Sequence, residues 1–148
     1  MCFRIDNTYP DCLMAHKDIV CYKVFIDKDI KEDFFFSEFF KHLYVLNKEQ
    51  RRALKIDGGD CLEVLNNRFI DKGFHSFSSI KKAINYASVM EKSYGQKCYV
   101  VKCEIPKGSA YYYSKMHSEY VSSGIVLRHK YSYISVQMFK HLYMNTIY

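Results

Sequence analysis

Tryptophan is absent from this 148-residue chain, proline occurs twice and glycine six times. So few breakers exclude a collagen-like or low-complexity chain, and a hydrophobic content of 49% excludes the polar composition that keeps a chain disordered. Long apolar runs are missing too. None approaches the roughly 18 residues that a membrane helix requires, and Met1 to Asp11 carries charges where a signal peptide needs an apolar stretch. A soluble protein of the cytoplasm is expected. The six cysteines include no Cys-x-x-Cys pair, so neither a zinc site nor a disulfide framework is expected and the thiols should be reduced. No Walker-type loop, Gly-x-Ser-x-Gly elbow or His-Glu-x-x-His motif occurs either, which removes the commonest nucleotide-hydrolysing, esterase and metalloprotease readings.

Aromatic residues are abundant instead, with fourteen tyrosines and eleven phenylalanines. A tyrosine has a large apolar body and one polar tip, which suits half-buried sheet surfaces, interfaces and stacking platforms. The formal charge of +6 favours an anionic partner. Its basic residues are scattered, with small groups at Lys48, Arg51 and Arg52, at Lys81 and Lys82, and at Arg128, His129 and Lys130. A nucleic-acid binder would gather them along one stripe, so a small anionic ligand is the better expectation.

Hydrophobic patterning predicts a single α+β domain over 1–148 with a curved, largely antiparallel sheet of about seven short strands and one main helix. Asp18 to Ile26 reads as a buried strand and Asp27 to Asp33 as a charged turn. The apolar FFFSEFFKHLYVL that follows is ambiguous in period, with extended structure favoured at Leu43 to Leu46. Asp57-Gly58-Gly59-Asp60 and Asn66-Asn67 read as turns around short strands at Cys61 to Leu65 and Arg68 to Ile70. Ile80, Ala83, Ile84, Ala87 and Met90 recur at helical spacing and predict a helix over 79–93, with Ser78 as N-cap and Gly95 as terminator. Gln96 to Ile105, Ala110 to Tyr113 and Tyr120 to Arg128 read as further strands, and Tyr131 to Tyr148 has no clear period after Tyr133. Cys98 and Cys103 should face opposite sides of their strand.

Candidate ligand groups concentrate at Gly73 to Lys82 (GFHSFSSIKK). A helix start carries unsatisfied N–H groups and partial positive charge, which ordinarily attracts acids. This one has Lys81 and Lys82, with Ser76, Ser78 and Ser79 offering hydroxyls and His75 a switchable donor, a set able to cradle a phosphate. The ordinary alternative is a capping serine beside two solvated lysines. Three consecutive tyrosines, Tyr111 to Tyr113, should place at least one ring, Tyr112 among them, where a base can stack. Glu119 is suited to holding a ribose hydroxyl or to acting as a general base. No catalytic set is complete, and no cofactor or metal is implied.

VCYKVF (Val20 to Phe25), GFHSF (Gly73 to Phe77), VVKCEIPKGSAYYY (Val100 to Tyr113) and EYVSSGIVL (Glu119 to Leu127) together resemble a family of small proteins found in Bacteroidales bacteria and their phages. The element order also resembles, more distantly, the ADP-ribosyltransferase fold. On that likeness Lys23 takes the basic position of the first strand, Ser76 or Ser78 the serine position before the helix, and Glu119 the catalytic glutamate. Lys23 stands where Arg or His is usual, and His117 stands where a second glutamate precedes the first. The resemblance therefore implies a retained nucleotide cleft more than transferase activity. The leading expectation is a phage-type anti-defence protein that sequesters a nucleotide-derived immune second messenger, cyclic or derived from NAD or ADP-ribose, without cleaving it, in the bacterial host cytoplasm. Alternatives are an enzyme acting on NAD or a related nucleotide through Glu119, and a module binding a host protein. An aromatic surface also suits a homodimer.

Overall fold

The two strongest β sequences of the chain, Ile19–Ile26 and Cys98–Ile105, lie side by side in the main sheet and pair in antiparallel register along their whole length, Ile19 opposite Ile105 and Ile26 opposite Cys98. The structure is a computed structural model and describes residues 3–6, 8–9, 11–26, 34–37, 42–45, 49–51, 55–57, 69–127 and 133–144. In chain order its strands are β1 (Phe3–Arg4), β2 (Leu13–Met14), β3 (Ile19–Ile26), β4 (Phe34–Ser37), β5 (His42–Val45), β6 (Gln50–Arg51), β7 (Lys55–Asp57), β8 (Phe69–Lys72) and β9 (Phe74–Phe77). Helix α1 (Ile80–Tyr94) follows, then β10 (Cys98–Ile105), β11 (Ala110–Ser114), β12 (Glu119–Ser122), β13 (Gly124–Ile125), β14 (Tyr133–Ser135), a short helix α2 (Val136–Phe139) and a π-helical turn (Lys140–Met144).

Seven strands form an antiparallel sheet in the order β14-β10-β3-β9-β12-β11-β2, so the fold is α+β with one main helix. Smaller sheets join β1, β8 and β7, β13 with β6, and β4 with β5. The alternation of β3 and β10 sends side chains to two faces, and both are buried. On one face Ile26, Phe77, Cys98 and Val100 pack under Ala83, Ile84 and Ala87 of α1 and under Val136 and Phe139 of α2. On the other, Cys21, Phe25, Phe74, Val101, Cys103 and Ile105 pack with Ala15, Ile125 and Leu127. A third group, Phe3, Ile5, Tyr112 and Val121, fastens β1 to the far end of the sheet.

The helix runs one residue later than its periodicity predicts, and its cap is Ser79 instead of Ser78. Gly95 ends it in the left-handed conformation, φ 64°, with its N–H donated to the Glu91 carbonyl at 2.8 Å. Glu91 also accepts the Cys98 N–H at 2.9 Å, which ties the end of α1 to the start of β10. The stretch read as one strand, Tyr120 to Arg128, breaks at Ser123. β12 continues the main sheet, whereas β13 pairs with β6. The break goes with a close approach at Gly124, where an added Cβ would stand 2.5 Å from Ser109 Oγ. In the apolar run after Asp33, β4 and β5 pair as a hairpin, in keeping with the extended reading. Of the turn expected at 57–60, Asp57 ends β7 and the rest lies outside the described residues, as do the turns expected at 27–33 and 66–67, the strand at 61–65, and Arg128, His129 and Lys130.

Candidate functional site

The residues singled out in the sequence divide between the two faces of the sheet. β12 pairs with β9, Glu119 opposite Phe77, Tyr120 opposite Ser76 and Val121 opposite His75. Directly paired residues share a face. Glu119, His75 and Tyr112 therefore stand on the α1 side, while Lys23 and Ser76 stand on the side of Cys21 and Phe74. The three positions matched to the ADP-ribosyltransferase fold thus do not share one surface.

Ser78 and Glu119 come together at the corner where β9 runs into α1, and Ser79, Lys81 and Lys82 follow Ser78 into the first turn of the helix. The Ser78 N–H donates to the Ser118 carbonyl at 2.8 Å, which holds the start of the helix against the β11–β12 turn. Ser118 takes a positive φ of 50°, an uncommon conformation for serine, at the point where that turn delivers Glu119. Helix α1 has no acidic residue in its first turn and no side-chain hydrogen bond at its Ser79 cap. Its leading N–H groups and Lys81 and Lys82, both exposed, make this end positive. Glu119 is half-buried beside it. Burial raises its carboxyl above the ordinary value of 4.5, with His117 pulling the other way. Tyr86, whose ring lies 5.3 Å from that of Phe77, backs the corner, and its phenol is raised first by burial and then by Tyr94 and Glu119. Phosphate oxygens suit the helix start, and hydroxyl donors suit Glu119.

Two of the remaining predicted residues, Tyr112 and Lys23, do structural work. Tyr112, the middle of the tyrosine run, is 7% exposed and packs with Phe3, Ile5 and Val121. Its neighbours Tyr111 and Tyr113 form a ring cluster on the other face, Tyr111 to Tyr120 at 5.9 Å, Tyr120 to Tyr113 at 5.1 Å and Tyr113 to Tyr9 at 5.7 Å. The Lys23 ammonium donates to the His75 carbonyl, so this half-buried cation bridges β3 to β9.

Sequence reasoning missed Asp6. Its carboxylate, 9% exposed, accepts N–H groups from Thr8 at 2.8 Å, Lys115 at 3.1 Å and Met116 at 3.4 Å, and so anchors the β11–β12 turn to the N-terminal segment. The bond from Thr8 leads the causes that hold Asp6 below its ordinary 3.8. An aspartate two residues before a threonine is a local signal for such a turn, but the contact with Lys115 spans the chain and has no signal. Asp6 also lines a cavity of about 100 Å³ with Arg4, Ile5, Thr8, Ser114, Met116 and His117. Among the described residues no cluster of three or more histidine, cysteine or acidic side chains could hold a metal ion, and no helix is long and apolar enough to cross a membrane. No family model, curated protein or solved structure matches the chain.

Proposed function

We propose that the corner at the start of α1 binds an anionic, nucleotide-like molecule and holds it intact. This is the activity expected of a protein that sequesters a nucleotide second messenger, as phage anti-defence proteins do. The observation that carries the reading is the first turn of a 15-residue helix with no acid, no capping side chain and two exposed lysines. Acids at this position are favourable by about 0.3–1 kcal/mol each, so a helix without them leaves that gain to an incoming anion. Ser78 and Ser79 supply hydroxyls, and Glu119 meets the ribose. Binding without turnover is favoured because Lys23 and Ser76 lie across the sheet from Glu119 and so cannot act with it on one bound molecule.

The test is a thermal-shift screen of the purified protein against NAD, ADP-ribose, cyclic ADP-ribose isomers and cyclic di- and oligonucleotides. A ligand at about a hundred times its dissociation constant stabilises by about 2.7 kcal/mol. Chromatography of the bound fraction after denaturation should return the unaltered nucleotide. Recovery of a cleaved product would overturn sequestration in favour of an enzyme using Glu119, and a flat screen would overturn the ligand class.

A further inference from the structure

We infer that Cys21 and Cys103 form a peroxide-reactive pair that closes into a cross-strand disulfide between the two longest strands, β3 and β10. The pair lies on the face of the sheet away from the nucleotide corner, and the inference is independent of that reading. Cys21 on β3 stands directly opposite Cys103 on β10, both thiols are free, and they are 0% and 1% exposed. Directly opposed residues of an antiparallel pair have Cα atoms about 4.5–5.5 Å apart, inside the span of about 4.4–6.8 Å that a disulfide accepts. The two side chains lie close enough to influence each other, and Cys103 Sγ donates to the Val101 carbonyl at 3.4 Å. The register therefore sets the two cysteines within the Cα span of a disulfide.

The surroundings give the two sulfurs different roles. Ser76 is 3% exposed, and its hydroxyl finds no partner of good hydrogen-bond geometry among the described residues while lying close enough to Cys21 to steady a negative charge there. The Lys23 ammonium faces both sulfurs. Burial pushes the Cys21 thiol up and Glu104 adds a little in the same direction, but nearby Cys103, the Ser76 hydroxyl and the Lys23 charge together bring it below its ordinary value. Burial and nearby Cys21 push Cys103 well above. With the Cys103 thiol engaged with the Val101 carbonyl and the Ser76 hydroxyl beside Cys21, Cys21 is assigned as the attacking sulfur and Cys103 as the resolving one. Burial selects an oxidant close to water in size, and hydrogen peroxide fits. The Cys21 thiolate attacks one peroxide oxygen, the O–O bond breaks and the departing hydroxide takes a proton to become water. Cys103 then attacks the resulting sulfenic sulfur, the S–O bond breaks, and hydroxide leaves with the Cys103 proton as a second water. The thiol pair loses two electrons and the peroxide gains them.

Cys98 provides an internal contrast, since burial and then Glu91 push its thiol up to about 11. Cys12 is exposed and reports the general dose. The experiment treats the reduced full chain with stoichiometric hydrogen peroxide, quenches it, alkylates it in denaturant with N-ethylmaleimide and maps the peptides by mass spectrometry. The expected product is a linked Cys21–Cys103 peptide in most of the chain before Cys98 changes. In Cys103→Ala, dimedone should trap a sulfenic acid on Cys21, and the wild-type result stands without that variant if it fails to fold. Recovery of Cys21 and Cys103 as N-ethylmaleimide adducts after Cys12 has been oxidised would overturn the inference, as would linkage of either to another cysteine.

Discussion

The corner at the start of α1 and the strip of β3 behind it both gather polar side chains, yet they meet opposite physical demands. At the corner Lys81 and Lys82 are in water, which screens them, so among the described residues their positive field has no partner to satisfy. Behind the sheet, Cys21, Ser76 and Cys103 are at most 3% exposed and must satisfy one another, with the Lys23 ammonium close by. The difference teaches where each kind of chemistry belongs in this fold. The corner is open to a ligand from solvent, whereas the strip is closed to anything much larger than water.

The comparison assumes that both faces of the sheet are closed, and Phe74 and Phe77 test this on one strand. They are 1% and 8% exposed and belong to opposite cores. Phe74→Ala and Phe77→Ala should each cost about 3–5 kcal/mol in urea unfolding. A cost below about 1 kcal/mol for Phe74→Ala, the level of a surface change, would open the face away from the helix and break the contrast.

Two carboxylates sharpen it at smaller amplitude because their signs are opposite. Asp6 is held below 3.8, so its contribution is full above that value and is lost as pH falls towards its folded value. Asp6→Asn should therefore weaken the protein at neutral pH and flatten the acid limb of its stability curve. Glu119 is raised above 4.5, so the folded state binds its proton more tightly than the unfolded chain does. Its favourable contribution is full below 4.5 and is lost as pH rises through the folded value, a decline that Glu119→Gln should remove. Thermal midpoints measured across pH for both variants decide this. A Glu119→Gln curve parallel to wild type would mean that the glutamate is solvated.

How far the sequence could be read follows from where each signal resides. The β3 and β10 strands and the α1 helix announced themselves because their patterns are local, and Gly95 marked the helix end because only a left-handed residue fits there. The opposite facings of Cys98 and Cys103 followed from spacing alone. Tyr112 was expected to offer a ring for stacking and proved to be core, because the tie formed by Phe3 and Ile5 depends on chain segments far apart in sequence. The split of Lys23 and Ser76 from Glu119 was hidden for the same reason: pairing register decides faces, and register is not written in any one strand. Cys21 and Cys103 gave no signal as a pair, since their spacing matches no motif and only the pairing of β3 with β10 sets them opposite.

The most direct test of the nucleotide corner is the Lys81→Glu/Lys82→Glu double variant, followed by thermal unfolding with and without the ligand recovered from wild type. Acids in the first turn complement the helix dipole, so the unliganded variant should be about 0.3–1 kcal/mol more stable per site, while the ligand-induced shift disappears. A variant that keeps the full ligand shift would contradict the account and move the binding site away from the start of α1.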